Sequence, residues 1–159
     1  MGTIVDLEFP NGGIVDADVS DNADISGTKI TRQQGHPVEV VDSSTLVEDV
    51  NSVLLHQVYG ATAKVIAFEA SIFTVGTSDH TVTVKLQKAN AGSDFSELSG
   101  DGIVITSTTS NRTPQPASIE TTALSDGDIL RAVVEVSDGS GTAPKGLLLT
   151  LTYQEAPTS

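Results

Sequence analysis

Hydrophobic and polar residues alternate with a period of two over three segments in the second half of the chain, at residues 80–88, 128–136 and 146–153. A period of two is typical of a β-strand that buries one face and exposes the other. The segments share an apolar residue at every second position, and the residues predicted from this to lie in the core are Leu130, Val134, Leu147, Leu149 and Leu151.

Further strand candidates complete an all-β pattern at residues 52–59, 63–75, 102–106 and 117–122. The longest, 63–75, is expected to be bent or split near Ala70. Turn-forming residues separate the candidates, as in Asp126-Gly127-Asp128 and Asp138-Gly139. Strands that recur every 8 to 12 residues or so with such turns indicate an antiparallel β-sandwich. A jelly roll and an immunoglobulin-like sandwich both fit, because periodicity reports faces and not connectivity.

Charge divides the chain unevenly. Residues 1–50 contain ten acidic and two basic residues, which accounts for −8 of the net charge of −13. This part also lacks a regular apolar spacing, whereas the remainder is dense in Val, Ile, Leu and Thr. We therefore predict an extended acidic N-terminal arm at 1–50 and a β-sandwich domain at 51–159.

Composition argues against several functions. Only eight basic residues are present, so neither nucleic acid nor an anionic membrane is an expected partner. There is no Cys, and His36, His56 and His80 lack a zinc-binding spacing. Residues 16–21 begin like a calcium loop but have Asp21 where that loop needs Gly. No nucleotide-binding or nucleophile motif is present. We predict no catalytic residue, no metal site, no cofactor and no enzymatic activity.

One segment of the arm resembles a known type of protein. Residues 15–30, from Val15-Asp-Ala-Asp-Val to Gly27-Thr-Lys-Ile30, are similar to a recurring segment of tailed-bacteriophage fibre and virion surface proteins, with departures at Asp24 and Gly27. Residues 58–62, 66–70, 81–86, 126–130 and 145–148 together resemble small β-rich phage structural proteins. The resemblance implies a capsid decoration (cement) protein or a head fibre, which is usually a homotrimer.

The resulting hypothesis is a non-enzymatic bacteriophage structural protein on the capsid surface of the virion. Its arm would bind the major capsid protein and stabilise the shell, because an extended segment can bury separate apolar residues in separate grooves. The residues expected to make this contact are Ile4, Leu7, Phe9, Ile14, Val19, Ile25 and Ile30. The alternatives are a receptor- or carbohydrate-binding module of a tail or head fibre, which the scarcity of aromatic residues disfavours, and a small β-barrel enzyme.

The last predicted strand also indicates a subunit interface. Its second face carries Leu148, Thr150 and Thr152, and no charged residue follows before Glu155. A strand face without charge is unusual in contact with water, and an exposed sheet edge must be covered or blunted. We therefore expect these three residues to contact another subunit. Threefold symmetry follows from the arm resemblance, since a repeated heterologous contact can close a ring.

Overall fold

The computed structural model describes residues 32–60, 62–90, 92–119 and 123–155. These residues form ten β-strands, and none of their segments is a helix long and apolar enough to cross a membrane. The strands are β1 (Arg32–Leu46), β2 (Val50–Gln57), β3 (Ala63–Thr74), β4 (Thr81–Ala89), β5 (Ser96–Glu97), β6 (Ile103–Ile105), β7 (Gln115–Pro116), β8 (Ala123–Leu124), β9 (Ile129–Ser137) and β10 (Lys145–Glu155).

The strands form two antiparallel sheets, which confirms the predicted sandwich. The first sheet has the order β1-β10-β3, and β7 and β8 both pair with the far edge of β3. The second has the order β2-β9-β4, and β5 and β6 both pair with β4. The first strand thus pairs with the last and the second with the last but one. This nested pairing is the jelly-roll arrangement, so connectivity resolves the choice that periodicity left open.

The core lies between the two sheets, where the alternating residues point inward. Its largest fully buried side chains include Phe68, Ile72 and Leu86. All five predicted core residues are buried, and the set is Leu130, Val134, Leu147, Leu149 and Leu151. The period-two pattern therefore identified the inner faces of β9 and β10 correctly.

The sandwich begins before the predicted boundary at residue 51. Strand β1 pairs with β10 from Arg32 to Leu46, and residue 51 lies inside β2. Val47 is buried, and its N–H donates to the carbonyl of Pro144 over 3.0 Å. Two register shifts interrupt β1, so its core-contacting residues Val38, Val40 and Val41 do not alternate. Residues 32–50 thus belong to the folded domain, and the pattern missed them because bulges break the period.

Two other segments differ from the prediction. Residues 117–119 are not a strand, and the short strands β7 and β8 lie on either side of the predicted 117–122 segment. The long strand β3 is continuous through Ala70, and its irregularity lies between Val65 and Ala67. Alternation along β3 already places exposed Ile66 outward, and the bulge leaves Ala67 outward as well, so that Phe68 returns to the core.

Candidate functional site

The outer face of the first sheet carries the three residues predicted for a subunit interface. Leu148, Thr150 and Thr152 point away from the core, with Leu148 41% exposed and the two threonines half-buried. Strand β10 is not the exposed edge that the sequence argument assumed, because β1 and β3 pair with it on both sides. The unpaired edges on this side of the sandwich belong to β1 and β2. The three side chains point outward as predicted, and their contact with another subunit stays a prediction.

A cleft of about 500 Å³ opens on this face around Leu148. Glu39 of β1 and Ser71 of β3 lie directly beside Leu148 in the paired strands. The ring of Phe73, 40% exposed, adds a second apolar surface. The residues that line the cleft are Glu39, Val41, Asp42, Ser43, Ser71, Ile72, Phe73, Arg112, Gly146, Leu147 and Leu148. An exposed apolar depression with a polar rim is typical of an interaction site.

Gly146 shapes the floor of the cleft. Here β1 departs from regular pairing, since Val41 is opposite Leu147 and the next paired residue, Leu46, is opposite Lys145. Gly146 has a φ of +65°, and a Cβ placed on it would lie 2.7 Å from the Cβ of Phe73 and 2.8 Å from the Cα of Ser43. Only glycine allows this close approach of three backbones at a positive φ.

The irregular segment of β1 beside Gly146 is held by Asp42. Its carboxylate accepts hydrogen bonds from the N–H of Ser44 at 2.8 Å and from the hydroxyls of Ser44 and Thr45 at 2.6 Å each. These bonds, led by the one from the Ser44 hydroxyl, lower the pKa of Asp42 to about 2. Asp42 therefore carries a negative charge on the β1 side of the cleft at neutral pH.

Arg112 forms the opposite side of the cleft. It has a φ of +57°, and its N–H donates to the carbonyl of Ile72 over 2.8 Å, while the side chain of neighbouring Asn111 accepts from the N–H of Val75 at 2.7 Å. The guanidinium carbon lies 4.0 Å from the centre of the Phe73 ring, a cation–π contact. No carboxylate of the described residues forms an ion pair with Arg112. Within the described part of the chain, the guanidinium N–H groups therefore have no ion-pair partner.

The outer face of the second sheet has a different character. Lys85 there lies 3.2 Å from a carboxylate oxygen of Glu135 and 3.7 Å from one of Glu97, and the hydrogen bond to Glu135 is the main cause of its raised pKa. Arg131 stacks on Phe95 at 3.7 Å and donates to Gln87. This face satisfies its charges within the chain. It also exposes the apolar side chains of Leu54 and Val104, while the outward side chains of β10 are uncharged.

The acidic turn Asp126-Gly127-Asp128 has a structural role. Asp128 is buried and accepts from the N–H of Ser125 at 2.8 Å and from the amide of Asn90 at 3.0 Å, with the amine of Lys88 3.3 Å away. Asp126 accepts from the N–H of Gly60. The described residues contain no group of three or more His, Asp or Glu side chains that could hold a metal ion.

His80 is a buried structural residue. Its Nδ1 accepts from the N–H of Gly139 at 3.1 Å, so its Nε2 carries the proton and donates to the carbonyl of Gly141 at 3.2 Å. The ring therefore joins the loop before β4 to the loop after β9. Both nitrogens are used in this way, which leaves neither free for a ligand.

His56 lies at the opposite end of the sandwich between the two sheets. Its ring stacks on Tyr153 with centres 4.0 Å apart, and its buried Nε2 has no hydrogen-bond partner and lies 3.6 Å from a carboxylate oxygen of Glu155. Burial lowers the pKa of His56, the carboxylate of Glu155 opposes this, and nearby His36 adds to the lowering. The neutral ring is thus the form that the fold accommodates.

Acidification is expected to destabilise the protein through His56. Because burial lowers its pKa, the folded protein binds fewer protons than the unfolded chain just below pH 6.5. The contribution to stability is therefore complete above pH 6.5 and is lost as the pH falls below it. His56→Phe keeps the stacking on Tyr153 and should flatten this part of the stability–pH curve, measured by urea denaturation. An unchanged slope in the variant would assign the effect to other groups.

The seven predicted shell-binding residues of the arm lie outside the described residues. They are Ile4, Leu7, Phe9, Ile14, Val19, Ile25 and Ile30. The structure adds Phe73, Glu39 and Gly146 to the candidate site, which the sequence argument did not select. Phe73 is a large apolar residue at an outward position of β3, and this position was the one feature of the sequence that could have indicated it.

Comparison with known proteins assigns no family. No protein-family model matches the chain, and no curated protein matches it. The structure has a likeness to a chain from a solved structure of Desmodium yellow mottle tymovirus, with 14% sequence identity and a TM-score of 0.35. The likeness covers 98% of this chain and 97% of that chain. At this TM-score and identity it carries neither a family nor a function over to this protein.

Proposed function

We propose that this protein is a non-enzymatic structural protein of a bacteriophage virion, a decoration protein that binds the major capsid protein and stabilises the shell. The N-terminal segment, with its similarity to virion surface proteins at residues 15–30, would make the contact with the shell. The sandwich would stand on the capsid surface as a homo-oligomer, and the threefold symmetry that the arm resemblance implies would be set on the shell, not in the free protein.

The observation that carries the proposal is the cleft on the outer face of the first sheet. The second sheet also exposes apolar side chains, Leu54 and Val104, but its Lys85 is paired with Glu97 and Glu135. The first sheet exposes Leu148 and Phe73 in a cleft. A surface of this kind supports association with protein. The jelly-roll arrangement is compatible with this role but does not imply it, because one fold serves many functions.

The cleft is less suited to carbohydrate, the main alternative. Sugar-binding sites commonly use a free aromatic face as a platform. One face of the Phe73 ring is covered by the guanidinium of Arg112, and the ring has no other aromatic residue beside it among those that line the cleft. The geometry therefore favours a protein partner over a glycan for this surface.

The test is co-sedimentation with shells assembled from the major capsid protein of the same virus. We expect the full-length protein to sediment with the shells, and the double variant Leu7→Asp/Phe9→Asp to remain in the supernatant, because it replaces two predicted apolar anchors with charge. The matched control, Ser20→Asp/Ser26→Asp, adds the same charge at polar positions of the segment and should still bind.

Two results would contradict the proposal. Wild-type protein that stays in the supernatant at all concentrations would remove shell binding. Equal binding of the Leu7→Asp/Phe9→Asp variant would remove the role of the arm. Cryo-electron microscopy of intact particles separates the remaining possibilities, since density on the tail would favour a fibre component and density on the head would favour decoration.

A further inference from the structure

Charge is distributed across the cleft in a definite order. Glu39 and Asp42 lie on β1 at one flank, Leu148 lies on β10 in the middle, and Phe73 follows on β3. Arg112 lies on the far flank, beyond β3, where its N–H is bonded to the carbonyl of Ile72. The face thus reads acidic, apolar and basic across strands that are about 4.8 Å apart.

We propose that a second copy of this chain packs against this face about a twofold axis that runs parallel to β10. Such a rotation exchanges the two flanks, so that Arg112 of each copy meets Glu39 and Asp42 of the other. The apolar centres, Leu148 and Phe73, then cover one another. The surface is self-complementary, as an isologous contact requires.

Charge also selects the orientation of the axis. A twofold axis that lies in the interface but perpendicular to the strands would place the acidic flank of one copy opposite the acidic flank of the other. It would likewise place Arg112 opposite Arg112. A contact of that form is repulsive. The axis parallel to the strands also keeps the two sheets aligned to within about 30°, which is the usual angle for aligned sheets packed face to face.

The geometry of Arg112 fits this contact. Its guanidinium is held over the Phe73 ring at 4.0 Å, so its position is set before a partner arrives. A planar guanidinium binds a carboxylate through two parallel N–H donors, and Glu39 is exposed. The pairs form at the rim of an apolar centre, where they determine orientation more than affinity. The contact does not depend on shell binding, and its symmetry replaces the threefold one for this face.

The test is a charge exchange, read as molar mass by light scattering and sedimentation over a concentration series that extends to the millimolar range. Wild type should reach twice the 16.4 kDa of the chain. Glu39→Arg and Arg112→Glu should each remain monomeric. The double variant Glu39→Arg/Arg112→Glu should recover the dimer, because it restores both opposed pairs with their signs reversed.

The molar mass also provides the control for this charge exchange. Glu135→Arg makes the same change of charge on the second sheet and should leave the mass at that of the dimer. Melting curves identify any variant that fails to fold, and Leu148→Asp then provides a second test of the same face. A monomeric wild type, a trimeric mass, or a double variant that stays monomeric while folded would overturn the twofold contact.

Discussion

Leu149→Ala is expected to lower the free energy of unfolding by about 2 to 5 kcal/mol, the usual cost of removing most of a buried leucine side chain. Leu149 is fully buried at 0% exposure in the middle of β10. Its strand is paired on both sides, with Val38 of β1 and Ala70 of β3 as direct neighbours. Because both flanking strands are held in place, the surroundings can collapse only slightly into the space left behind.

The adjacent residue provides the matched control. Leu148 has the same side chain on the same strand, but it points outward and is 41% exposed. Leu148→Ala should cost less than about 1 kcal/mol in the monomer, in line with substitutions at exposed positions. Urea denaturation of both variants at low protein concentration measures the difference. Equal losses for the two variants would mean that the inner and outer faces of β10 are wrongly assigned.

Gly146→Ala is expected to destabilise the protein by about 2 to 5 kcal/mol. A positive φ costs an alanine about 1 to 2 kcal/mol, and the added methyl group must also displace Phe73 or the backbone at Ser43, at a further cost of about 1 to 3 kcal/mol. The two close approaches are 2.7 Å and 2.8 Å. The same change should distort the cleft, because both displaced groups line it.

Gly60→Ala separates the two causes. Gly60 has nearly the same φ, +68°, but a Cβ placed there would have no atom within 4 Å. This variant should therefore show the cost of the dihedral angle alone, about 1 to 2 kcal/mol. Thermal and urea unfolding of both proteins give the comparison. If Gly146→Ala lost no more stability than Gly60→Ala, the close packing of β1, β10 and β3 at this point would not be present.

The strands that the sequence predicted well are those buried on one face along their whole length. In β4, β9 and β10 the alternation of apolar and polar residues reports a physical constraint, since each inward side chain must leave water. Strand β1 shows no such alternation because it is an edge strand with two register shifts, and most of its residues are exposed. The short strands β5, β7 and β8 have only two residues each, too few for any period to be visible.

For the candidate site, the sequence predicted the outward face of β10 but not what surrounds it. Alternation is a local property, and it assigned Leu148, Thr150 and Thr152 to the face opposite the core. The neighbours of that face come from residues far apart in the chain, with Glu39 and Arg112 separated by more than seventy positions. Strand order is set by packing and hydrogen bonding between distant segments, which no local pattern records.

The sequence by itself determined the fold class, the inner faces of the main strands and the absence of charge along the outer face of β10, because each follows from the period of two within one segment. The tertiary structure alone decided the nested jelly-roll pairing, the place of β10 in the middle of its sheet and the cleft. It also decided the order of acid, apolar surface and base across that cleft. These features depend on which strands become neighbours, and that choice is made by the burial of the whole core at once.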